Sequence, residues 1–96
     1  MPEDEAKLHS AKERGMRAAQ LLNDELMQEA FKTLEATYTR AWAATEPHDT
    51  EGRENYWKAL QILSDVHRHL KKTAENGRLV QRELDNLALK LRPRAI

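Results

Sequence analysis

The chain has 96 residues, of which 33% are charged, 40% apolar and five aromatic, with no cysteine and a formal net charge of zero. A length of this order holds one domain at most, and the missing cysteines exclude both a disulfide framework and a thiolate metal site. The sequence shows no secretory apolar core and no apolar run of bilayer-spanning length, so a soluble protein of a cell interior or a virion is expected.

The three prolines, Pro2, Pro47 and Pro93, leave two long intervals free of helix breakers, which favours an all-α fold of long helices. A first helix is expected over about 4–22. Pro2, Glu3, Asp4 and Glu5 suit a helix N-terminus, where the backbone dipole favours negative charge. Its stripe of Leu8, Ala11, Gly15, Ala18 or Ala19 and Leu22 is thin, and Gly15 costs roughly 1 kcal/mol of helix propensity relative to alanine. This segment is expected to fray at its start or to order only against a partner. Asn23 and Asp24 are strong helix caps, so a kink or break is expected there.

The second helix is expected over about 24–45. Met27, Phe31, Leu34, Tyr38 and Ala41 form its inner stripe, widened by Leu26, Ala30 and Trp42. Pro47 ends it, and Asp49 or Thr50 caps a third helix over about 50–91. A connection this short makes the flanking helices antiparallel neighbours, a long hairpin. Trp42 would then meet Tyr56 and Trp57 in an aromatic plug at the closed end, where a buried Trp57 would be worth about 3 kcal/mol or more.

The third helix has the most regular pattern. Tyr56, Leu60, Leu63, His67, Leu70, Ala74, Gly77, Gln81, Leu84, Ala88 and Leu91 alternate steps of four and three, the spacing of a seam that faces a partner helix. Asn76 and Gly77 allow two readings. They either form a left-handed C-cap that ends the helix, or Gly77 admits a close helix approach within a continuous helix, which is the favoured expectation. The middle of the seam carries its small and polar residues and is where a kink, a close approach or a partner is expected. Leu26, Ile62, Val66, Leu79, Val80 and Leu87 fall off the hairpin seam, so some should stay exposed in a monomer and drive self-association. The expected packing and interface set is Phe31, Leu34, Tyr38, Trp42, Tyr56, Trp57, Leu60, Leu63, Leu70 and Leu84.

Charge is divided along the chain. Residues 1–50 hold six Lys/Arg against ten Asp/Glu, net −4, and residues 51–96 hold ten against six, net +4. The two halves of a hairpin would attract each other, and so would neighbouring copies. Arg68, Lys71, Lys72, Arg78 and Arg82 are the candidate contact for nucleic acid or another anionic partner, although a solvated helix face is the ordinary reading of such residues. No base-stacking aromatics interleave them and no helix-turn-helix pattern is present.

No catalytic, cofactor-binding or metal residue is expected, and the chain is read as a non-enzyme with no small-molecule substrate. His67 and His69 are two apart on a helix and cannot chelate one ion, and Asp65 with His69 supplies only two ligands. Ser10 and Ser64 have no activating neighbours, and the three glycines are scattered rather than gathered into a phosphate loop.

The runs Leu21 to Phe31, Asp49 to Glu54 leading into Trp57, His69-Leu70, and Glu75 to Leu79 resemble short helical proteins of tailed-phage and prophage gene clusters, over roughly residues 13–85. The resemblance implies a role in the head and DNA-packaging module, in the cytoplasm of an infected bacterial host or in the virion. The architecture is also similar to the oligomerisation hairpin of small terminase subunits, which stand side by side in a ring. The implied partners are copies of the chain, a large terminase, a portal or capsid protein, and non-specific DNA. The 96 residues depart from the pattern of a full small terminase in having no separate N-terminal DNA-binding domain, so the resemblance implies ring formation and contact with a large terminase but not recognition of a specific packaging sequence. The alternatives are a virion structural or head-completion protein docking on portal or capsid, and a small helical inhibitor or adaptor of a host protein.

Overall fold

The structure, a computed structural model, describes residues 2–91; the expected tail at 93–96 lies outside them. Three helices follow one another: α1 (Pro2–Asn23), α2 (Glu25–Ala43) and α3 (Thr50–Lys90). No strand occurs among the described residues. The fold is all-α, with α1 and α2 laid end to end along one long helix that returns past both.

Local chemistry sets each boundary. Asp24 takes extended backbone angles, φ −70° and ψ 127°, and its carboxylate accepts the Met27 amide at 2.9 Å. One non-helical residue therefore separates α1 from α2. Across the gap the Gln28 side chain donates to the Leu22 carbonyl at 3.0 Å, occupying an acceptor that the end of α1 leaves over. Beyond α2 the Thr45 hydroxyl donates to the Trp42 carbonyl at 2.8 Å, and Arg53 reaches back to the Pro47 carbonyl at 2.9 Å. Asp49 then caps α3 by accepting the Gly52 amide at 2.9 Å.

α3 runs unbroken for 41 residues, so the continuous reading of Asn76-Gly77 holds. Gly77 has helical backbone and is buried, and what it meets is Gly15 of α1. A Cβ placed on Gly15 would lie 2.5 Å from the Gly77 Cα, and one placed on Gly77 would lie 2.6 Å from the Gly15 Cα. Two helix backbones thus touch at this level, with Ala18 and Ala74 buried close by. Gly15, a weakness in an isolated helix, is the residue by which α1 docks.

The molecule is a rod of 77 × 25 × 17 Å with a radius of gyration of 20.7 Å, against about 13 Å for a compact domain of similar length. Its accessible surface is 8256 Å², where a compact monomer of 11.1 kDa has roughly 5,700 Å². Among the described residues the buried apolar side chains are Ala18, Ala74 and Val80, and nothing larger than valine is buried. Side chains such as Phe31, Leu60, Leu63, Leu70 and Leu84 are half-buried along the seam. Phe31 meets His67 edge-on, ring centroids 4.9 Å apart, so His67 serves as a packing residue.

Three expectations change. Ala88 and Leu91, at the end of the expected seam, are exposed, while off the seam Val80 is buried because α1 lies against this half of α3. α2 stops at Ala43, two residues early, capped at Ala44. The aromatic plug is open: Trp42 and Trp57 are 43% and 53% exposed and only flank a shallow depression with Thr50, Arg53 and Glu54. With two helices meeting at this end, no third element covers the rings.

Two stability predictions follow from these contacts. Gly77→Ala should lower stability by about 1–3 kcal/mol through overpacking against Gly15, although alanine gains roughly 1 kcal/mol over glycine in a free helix. Asn76→Ala, at the exposed neighbouring position, is the control and should be neutral or slightly stabilising; a higher melting temperature for Gly77→Ala would refute the backbone contact. Trp57→Ala should cost about 1.5 kcal/mol, half of the penalty for a buried tryptophan, as measured by urea unfolding.

Candidate functional site

α2 carries more apolar surface than α3 can cover. Apolar residues at 26, 27, 30, 31, 34, 38, 41 and 42 spread around much of its circumference. Met27, Phe31, Tyr38 and Ala41 turn partly inward and are half-buried, while Leu26, Ala30 and Leu34 point outward. On α3 the inward residues at this level are Leu60, Leu63 and His67, which leaves Ile62 and Val66 beside them on the open side.

Together these residues form an open groove of about 430 Å³ between α2 and α3, lined by residues such as Phe31, Leu34, Tyr38, Ile62 and Val66 and by no charged group. Leu26 is 71% exposed, Ile62 64%, Val66 49% and Leu34 41%. The other side of the same hairpin mixes Lys32, Glu35, Thr39 and Ser64 with Leu22, Met27, Leu60 and Leu63 around the Phe31–His67 contact. One face of the hairpin is therefore free of charged side chains, and the opposite face mixes apolar with charged ones.

α3 itself shows that this exposure is a matter of partners. Ile62 and Val80 are eighteen residues apart, which is about five full turns, so they lie on the same side of the helix. Val80 is 8% exposed and Ile62 is 64% exposed. α1 covers that side in the C-terminal half of α3, and in the N-terminal half it is bare.

Arg68 stands apart from the other basic candidates. Arg68 is held by Asp65 at 3.2 Å, an exposed pair of little energetic weight that also takes Asp65 away from His69. Lys71, Lys72, Arg78 and Arg82 are exposed. Arg78 shares the depression beside the glycine crossing with Lys12 of α1, while the Gln81 side chain there donates to Asp85 at 2.7 Å. α1 adds Arg14 and Arg17 at the same level, both exposed. Reading α3 alone missed these α1 cations; the matching Gly15 and Gly77 are the signal that brings the two segments together.

Among the described residues no group of three His, Cys, Asp or Glu side chains is placed to hold a metal ion. No helix there is long and apolar enough to cross a membrane. Of the expected packing set, Phe31, Tyr38, Leu60, Leu63, Leu70 and Leu84 are half-buried, whereas Leu34, Trp42, Tyr56 and Trp57 are exposed. In chemical terms the molecule offers an apolar face on the hairpin half and a cluster of cations on the other half. No family model, no curated protein and no solved structure matches the chain.

Proposed function

We propose that the chain is a non-enzymatic assembly protein that acts by binding, through the apolar α2/α3 face, to copies of itself and to a larger head or packaging component of a phage. The observation that carries the binding role is the exposed apolar face on a rod that, among its described residues, buries no side chain larger than valine. Large exposed apolar patches of this kind are surfaces for partners. The phage setting rests on the resemblance of residues 13–85 to short prophage helical proteins.

In this role the cations of α1 and α3 provide a sequence-independent contact to phosphate, as a protein that handles packaged DNA without reading it requires. A cationic surface of this kind positions a duplex without reading its sequence.

Sedimentation velocity across a concentration series tests the binding role. Self-association in the micromolar range is expected, and a stable monomer at high micromolar concentration would overturn it. Duplex DNA in the same experiment tests the packaging role. Binding should be weak, with Kd about 10⁻⁴–10⁻⁶ M, indifferent to sequence, and steeply weakened by salt. Lys71→Glu combined with Arg78→Glu should abolish it. Self-association without DNA affinity would overturn the packaging role and favour a structural protein docking on portal or capsid.

A further inference from the structure

We infer that Asn76 is a site of spontaneous deamidation that the docking of α1 holds closed, and whose isoaspartyl product releases α1 from α3. Asn76-Gly77 is the one place in the chain where an asparagine precedes a glycine. Asn23, Asn55 and Asn86 precede aspartate, tyrosine and leucine, whose Cβ atoms crowd the amide that must react. Glycine presents that amide without hindrance. The fold itself demands a glycine here, because a Cβ on Gly77 would lie 2.6 Å from the Gly15 Cα. The residue that lets two backbones touch thus leaves its exposed neighbour Asn76 chemically vulnerable.

In the reaction the Gly77 amide nitrogen gives its proton to solvent base and attacks the carbonyl carbon of the Asn76 side chain. The new C–N bond closes a succinimide ring, and the side-chain nitrogen takes up a proton and leaves as ammonia. Water then opens the ring at either carbonyl. One opening yields aspartate; the other yields isoaspartate, in which the main chain runs through the former side-chain methylene. One water enters and one ammonia leaves, with no change of oxidation state.

The helix blocks the first step. Within α3 the Gly77 amide donates to the Thr73 carbonyl, four residues back. While that bond holds, the nitrogen neither loses its proton nor turns toward the side chain. Gly15 of α1 lies directly on this bond: a Cβ placed on it would be 3.0 Å from the Thr73 oxygen and 3.1 Å from the Gly77 nitrogen. Ring closure requires the turn at 73–77 to open, and the free energy of local opening is set by what packs on the segment. Here that is α1, and a helix without such packing is marginal in water.

The product acts in the opposite direction. Isoaspartate adds one backbone atom to α3 immediately before Gly77 and breaks the register of its hydrogen bonds, at a crossing with no room for a methyl group. α1 cannot redock on the altered helix. Its release uncovers Val80, on the same side as Ile62, and extends the bare strip of α3 into the C-terminal half. The change runs one way.

Isoaspartate formation at position 76, followed by peptide mapping of the whole chain incubated at neutral pH, tests the protection. Gly15→Ala is the informative variant, since it improves α1 as an isolated helix yet sets a methyl group against the Gly77 backbone. It should accumulate isoaspartate at least about fivefold faster than the unsubstituted chain, the lower end of what overpacking costs. Trp57→Ala, about 30 Å along α3, should leave the rate unchanged. Equal rates in Gly15→Ala and the unsubstituted chain, or equal acceleration by Trp57→Ala, would overturn protection by α1.

Hydrogen exchange tests the release. In the isoaspartyl form, separated by chromatography, the amides of residues 8–22 should lose their protection while those of α2 keep theirs. Asn76→Asp, which carries the new charge without the extra backbone atom, should leave α1 protected. Retained protection of 8–22 in the isoaspartyl form, or its loss in Asn76→Asp, would overturn release through the altered backbone.

Discussion

The contact between Gly15 and Gly77 is the constraint on which the rest of the molecule depends. Helices ordinarily pack through side chains that hold their axes 8–10 Å apart. Here neither residue has a side chain to interpose, and a Cβ on either would fall within 2.6 Å of the opposite backbone. The close approach lets small residues make the junction: Ala18 and Ala74 are buried beside it, and the thin stripe of α1 becomes sufficient. Dispersion across closely apposed backbones replaces the bulk that leucines supply elsewhere. The same contact fixes how far along α3 the N-terminal segment reaches, and so decides which part of the long helix has a partner.

That economy has a cost in surface. A junction of glycine and alanine removes little apolar area from water, and burial of apolar area is the main favourable contribution to folding. The hairpin half has larger side chains but only two helices to enclose them, so its leucines and aromatics are shared between the seam and the solvent. Trp42 and Trp57 show the effect most directly. Both are large enough to form a core, and both stand at an end where no third helix arrives. A protein assembled in this way has stability to gain from association, since an incoming face covers what the monomer cannot.

The seam from Leu60 to Leu84 was legible in the sequence because a regular alternation of steps of three and four admits one geometric solution, a helix with a helical neighbour. The break at Asp24, the turn at Pro47 and the continuity of α3 through Gly77 were legible for similar local reasons, since capping and proline chemistry act within a few residues. What escaped was the side from which α1 approaches. That depends on a pairing between residues sixty-two positions apart, and a periodic pattern in one helix carries no information about the direction of its neighbour. The burial of Val80 and the exposure of Ala88 both follow from this one unknown, as does the membership of Lys12, Arg14 and Arg17 in the basic cluster. The aromatic plug failed differently: sequence placed the rings at the same end, but proximity does not supply a lid.

The exposed apolar face exists because α1 and α2 are not one helix. If residues 2–43 were continuous, a single partner would lie along α3 and expose the same strip of it from end to end. The extended backbone of Asp24 divides that partner into two, each free to take its own line. α1 settles on the side of α3 that carries Val80; α2 settles farther round, over Leu60, Leu63 and His67, and leaves Ile62 and Val66 bare. A single capped residue thus converts a uniform rod into one with a covered half and an uncovered half. The uncovered half carries the acidic turn and the covered half carries the cations, so exposed apolar surface and charge are divided at the same place along the rod. A rod divided in this way distinguishes its ends.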